Sequence, residues 1–167
     1  MNSSRINDSY VNREKLSQGF QTNNWLINKH AEGVTHAASL AQLPVRVNTF
    51  NWVLGHIIQA RSGLLQLLGE EALVDEEVKA VYTRGSQPVS HDDALPLSEL
   101  LSLLEQSTER ITAAVNDASD ETLSALYDAE RGTTIAERIA GLNWHETYHM
   151  GQLEILRQAG GELPAFP

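Results

Sequence analysis

The sequence predicts an all-α protein: a four-helix bundle with one long crossover connection and short accessory helices. Three observations lead there. Apolar residues recur at helical spacing in four long segments, no alternating β-branched run lies between turn signals, and no Asn-Gly or Asp-Gly hairpin turn occurs. The 167 residues suffice for one domain with a substantial core and are too few for two of ordinary size, so residues 1–167 are read as a single unit, with 1–11 and 162–167 as tails.

Leu16, Phe20, Ile27 and Ala31 give the first helix, from about Asn12 to Glu32, with Gly33 ending it. GVTHAASLAQLPVRVN reads as a connector with room for a short helical turn, because Pro44 disfavours helix at Leu43. Asn48 or Thr49 then caps a second helix, NTFNWVLGHIIQARSGLLQLLG, whose stripe is Val53, Ile57, Ala60, Leu64 and Leu67 and whose stop is Gly69 in a left-handed C-cap. His56 borders that stripe. From Glu70 to Leu97 the chain is acidic and interrupted by Gly85, Pro88 and Pro96, with EEVKAVY as a short helix; Tyr82 to His91 is a candidate substrate-side segment against the alternative of a plain solvated connection.

Leu100, Leu104, Ile111 and Val115 support a third long helix from about Ser98 to Asn116, followed by a short one beginning near Ser119. The last helix opens on a capping box, Thr134 with Glu137, carries Ile135, Ile139, Leu142, Leu153 and Leu156, and stops at Gly160 and Gly161.

Composition narrows the function. A formal charge of −10 and a pI of about 4.9 would repel phosphate backbones, and no dense Lys/Arg cluster offsets them, so nucleic acid is not an expected partner. The absence of cysteine removes disulfides, thiolate metal sites and a cysteine nucleophile, leaving His and carboxylates as strong metal ligands. The N-terminus lacks an apolar signal core and no run approaches the roughly 18 apolar residues of a membrane span, so a cytoplasmic location is the default expectation.

The chemistry concentrates in WHETYHMGQLEIL, residues 144–156, where HETYH has the HExxH spacing of a zinc metalloprotease helix. His145 and His149 lie one turn apart on one face and share phase with Leu142 and Leu156, which turns them toward the interior. A protease would need a downstream third ligand. Gly151 comes one residue too early for the metzincin pattern, Ile155 stands where its third His would fall, and only 18 residues follow His149. In a bundle the third ligand comes from a facing helix instead, and His56 is the candidate. His30, His36 and His91, near breakers or in polar connectors, read as surface histidines, and Glu146 reads as a solvated or interface carboxylate.

NTFNWVLGHIIQARSGLLQLLG and NWHETYHMGQLEILRQAGG resemble the two signature helices of the DinB/YfiT-like superfamily of metal-binding four-helix bundles, over about Leu16 to Gly161. The resemblance implies a three-histidine divalent-metal site of His56, His145 and His149, with Gly151 and Gln152 completing the pattern. Three imidazoles leave coordination positions open, as a catalytic site does, and suit zinc, nickel or another first-row ion. By the same resemblance the leading function is a transferase for a small-molecule substrate, dependent on a low-molecular-weight thiol. The alternatives are a hydrolase using metal-bound water with Glu146 as base, and a non-catalytic metal-binding bundle. Bundles of this kind pair, so a homodimer through Trp25, Trp144 and the remaining faces of two helices is expected.

Overall fold

The computed structural model describes residues 12–159, so the two expected tails and the Gly160–Gly161 stop lie outside it. Seven helices and one small hairpin follow in order: α1 Arg13–Ala31, α2 His36–Ser39, α3 Phe50–Leu67, α4 Glu76–Tyr82, α5 Leu97–Asp117, α6 Asp120–Ser124, β1 Leu126–Asp128, β2 Thr133–Thr134 and α7 Ile135–Ala159. The four long helices fall within a few residues of their expected bounds.

Local chemistry sets those bounds. Asn12 accepts from the Lys15 amide at 2.9 Å to start α1, and the Thr49 hydroxyl accepts from the Trp52 amide at 3.2 Å to start α3. At the end of α3, Gly69 takes a φ of 86°, donating to the Gln66 carbonyl while Glu70 donates to Leu65; the paired bonds form a Schellman cap. Thr134 and Glu137 form the expected capping box, with the Thr134 amide donating to the glutamate (2.8 Å) and the Glu137 amide to the threonine hydroxyl (3.2 Å).

The hairpin corrects the expectation of no strand. Leu126 and Asp128 pair antiparallel with Thr134 and Thr133 through an irregular register. The Asp128 side chain accepts from the Glu130 and Arg131 amides, and Gly132 at φ 67° closes the turn. Strands this short show no alternation, so sequence periodicity does not mark them.

α1 packs on α5 and α7, and α3 packs on the same two helices, so the ring order is α1, α7, α3, α5. One apolar cluster holds Ile27, Leu54, Ile57, Leu100, Leu104 and Leu153, and a second holds Phe20, Leu65, Ile111, Val115, Ile139 and Leu142. A polar layer separates them: Asn23 on α1, Arg61 on α3, Ser107 and Thr108 on α5 and Glu146 on α7, all buried. α4 returns over the start of α3 and covers it, which is why every residue from Phe50 to Ile58 is buried and not a single stripe. No described helix is long and apolar enough to cross a membrane.

Candidate metal centre

His56 stands on the covered part of α3. Its neighbour Gly55 has no side chain, and a Cβ there would lie 2.2 Å from the Tyr82 ring, so glycine is what lets the end of α4 come so close. The approach delivers the Tyr82 carbonyl to His56, whose Nδ1–H donates to it at 2.8 Å. That bond fixes the tautomer and leaves the Nε2 lone pair free. Trp52 stacks on the same imidazole, 4.9 Å between centroids and 9° between planes, and its indole N–H donates to Ser86 Oγ at 2.9 Å.

His145 and His149 come from α7, one turn apart. Their rings lie 5.2 Å from that of His56 and 4.4 Å from each other, with Nε2 facing Nε2 at 3.0 Å. His149 Nδ1 meets Gln152 Oε1 at 2.6 Å, so here too the second nitrogen is held and the first left for a ligand. His145 Nδ1 is buried without a hydrogen-bond partner among the described residues. One nitrogen from each ring falls within 4.8 Å of the others, the only group of three or more such ligands among the described residues.

Burial sets the charge state. It lowers the pKa of His145 to about 4, assisted by His149, His56 and Arg138. It also lowers His56, against the Tyr82 carbonyl and with Arg84, and His149, against Gln152. All three rings are therefore neutral at physiological pH, the form that binds a metal. Two nitrogens each about 2.1 Å from one ion stand roughly 3.0 to 3.4 Å apart, which the His145–His149 separation meets. The donor set thus fits a first-row divalent ion.

Glu146, between the two histidines, is neither solvated nor at an interface. It is fully buried, and both its oxygens are engaged: Oε1 by Arg61 Nε at 2.7 Å, Oε2 by Arg61 Nη2 at 2.8 Å and by Asn23 Nδ2 at 3.0 Å. Arg61 Nη1 reaches the Leu104 carbonyl, Ser107 and Thr108 on α5, and its guanidinium lies over the Phe20 ring. The signal was in the phase of the stripes. Arg61 falls between Ile57 and Leu64 on one apolar face, and Glu146 between Leu142 and Leu153 on the other, so two opposite charges point into one core.

His30 also departs from the surface reading: it is buried and meets Glu154 at 3.1 Å from Nδ1. His36 is half-buried with its ring against that of exposed His91, and both stand apart from the centre. Of the Tyr82–His91 segment, two residues reach the site: Tyr82 through its carbonyl on His56, and Ser86 through its hydroxyl on Trp52. An apolar cavity of about 70 Å³ adjoins, lined by Leu43, Val53 and Leu156 together with Gln152, the residue that holds His149.

With the bundle and its three-histidine group described, the chain can be placed among known proteins: the model of the DinB superfamily matches residues 22–153. The chain belongs to the DinB superfamily. A solved structure described as the conserved protein of a locus from Enterococcus faecalis superposes with a TM-score of 0.69 at 14% identity, over 87% of this chain and 95% of that one. At that identity the likeness supports the fold alone. No curated protein matches this DinB-superfamily chain.

Proposed function

We propose that this DinB-superfamily protein is a divalent-metal-dependent transferase that uses a low-molecular-weight thiol as cosubstrate, with zinc or nickel held by His56, His145 and His149. The observation that carries the reading is the ligand set: three neutral imidazoles with no fourth protein ligand in the group, leaving positions for an exogenous donor. When bound, such an ion stabilises a thiol as its thiolate, the nucleophilic form. The chain has no cysteine, so the thiol comes from outside. His56 and His149 are pre-oriented by Tyr82 and Gln152, and the adjoining cavity offers an apolar wall to a small electrophile. The hydrolase alternative loses support here, because Glu146 is held between Arg61 and Asn23 and is not available to take a proton from water.

Cobalt substitution tests the reading. A low-molecular-weight thiol should shift the visible spectrum of the cobalt-loaded protein, and the three single His→Ala variants should each lose metal on elemental analysis. A cobalt spectrum indifferent to a panel of thiols, with no addition to electrophiles, would eliminate the transferase.

We also propose a homodimer formed through the outer face of α7. Gly141, Trp144, Tyr148, Gly151 and Ile155 recur there at alternating three- and four-residue spacing, with Trp144 and Tyr148 exposed and stacked on each other. Both glycines face open space, and in an antiparallel pair Gly141 would sit opposite Ile155 and Gly151 opposite Trp144, small against large on either side of a central contact between the two copies of Tyr148.

A further inference from the structure

We infer that the buried Arg61–Glu146 pair is a positioning device for the metal centre, setting the register of α7 against α3 so that His145 and His149 meet His56. The inference rests on the metal-binding part of the function proposed above and is independent of the thiol chemistry.

Geometry supports it in three ways. Glu146 sits between the two α7 ligands, about 1.5 Å along the axis from His145 and 4.5 Å from His149, while Arg61 lies about 7.5 Å along α3 from His56. Any slide or rotation of α7 that misplaces the histidines therefore breaks the pair. The contact is a two-pronged fork, Nε to Oε1 and Nη2 to Oε2, which fixes orientation as well as distance. The third prong of the guanidinium is anchored to α5 through Leu104, Ser107 and Thr108, and Asn23 ties the carboxylate to α1, so the reference frame is the whole bundle. The apolar clusters on either side are non-directional and tolerate a shifted register; this layer does not. A buried polar layer that specifies register is the best-attested use of such groups.

Stability alone gives a weaker account of the pair. Removing one partner strands a buried charge, but replacing both with apolar side chains of similar volume is commonly neutral or stabilising. The surroundings allow that here. Asn23 Nδ2 also donates to the Asn143 carbonyl, and Ser107 and Thr108 each donate to the Leu104 carbonyl, so the double replacement leaves none of these groups without a partner.

The test is an Arg61→Met/Glu146→Leu double variant of the full chain, titrated with cobalt and read by visible absorption beside circular dichroism. A positioning role predicts a folded bundle whose cobalt affinity falls by roughly 10- to 100-fold and whose absorption bands shift, reporting altered coordination. Wild-type affinity and spectrum in the folded double variant would overturn the inference and leave the metal site standing. Failure of the wild-type chain to bind cobalt would overturn both. Should the double variant not fold, Glu146→Gln, which keeps the shape and one acceptor oxygen, decides by the same spectrum: unchanged bands and affinity count against positioning, and shifted bands with weaker binding count for it.

Discussion

At the scale of single residues the centre depends on a contact that carries no metal ligand. Gly55 admits the Tyr82 ring, Tyr82 OH donates to Asn51 and accepts from the Leu95 amide, and the Tyr82 carbonyl aims His56. Gly55→Ala places a methyl about where the ring now lies, and overpacking of this kind costs roughly 1–3 kcal/mol. Urea unfolding should show that loss, and metal titration should show weaker binding, because Tyr82 cannot move without releasing His56. Undiminished affinity in a destabilised variant would separate the two effects and remove Tyr82 from the site. The histidines themselves were legible, since spacing and phase place them. Tyr82 was not, because its part is played by a backbone carbonyl, which no side-chain pattern records. Arg61 and Glu146 lie between these cases: their phase was visible, and reading Glu146 through its HExxH neighbours concealed that it shares a face with Leu142 and Leu153.

At the scale of elements, periodicity served where one face is buried and failed where an element is short or covered on all sides. α5 shows its stripe plainly, with Leu100, Leu104, Ile111 and Val115 buried. α3 shows a stripe in its second half only, because α4 covers its first, and the two- and three-residue strands of the hairpin are too brief to carry a period. α7 is the element with two working faces. Its inner face holds His145, His149 and Glu146, while Trp144, Tyr148 and Ile155 remain 70%, 59% and 62% exposed, a large apolar stripe for a helix flank. Trp144→Glu/Tyr148→Glu should convert a dimer to a monomer in sedimentation equilibrium without loss of helicity, since neither side chain supports the core. A wild-type chain that sediments as a monomer across the micromolar range would exclude the proposed pairing.

At the scale of the whole molecule, the candidate metal centre and the fold share one set of protons. His30, His56, His145 and His149 all have folded-state pKa values below the ordinary 6.5, burial being the first cause in each. Below pH 6.5 the unfolded chain takes up protons that the folded chain resists, so the unfolded state binds more protons and stability rises with pH through that window. The histidine contribution is therefore complete above about 6.5 and is lost as pH falls toward the folded values, about 4 for His145. The same resistance would protect a bound metal. A proton would compete with a bound ion for each Nε2, and in the folded chain that competition sets in at the lowered pKa values, so the midpoint of metal release should lie below 6.5. Metal present at 100 times its dissociation constant adds about 2.7 kcal/mol, or roughly 5 to 10 °C in Tm for a chain of this size. Thermal unfolding with and without zinc between pH 7.5 and 4.5 checks both statements. The metal-free Tm should decline as pH drops below 6.5, while the zinc-dependent increment should persist to lower pH than free imidazole would allow. An increment already absent at pH 6 would mean that the three rings protonate as ordinary histidines, and that their burial does not prepare them for a metal.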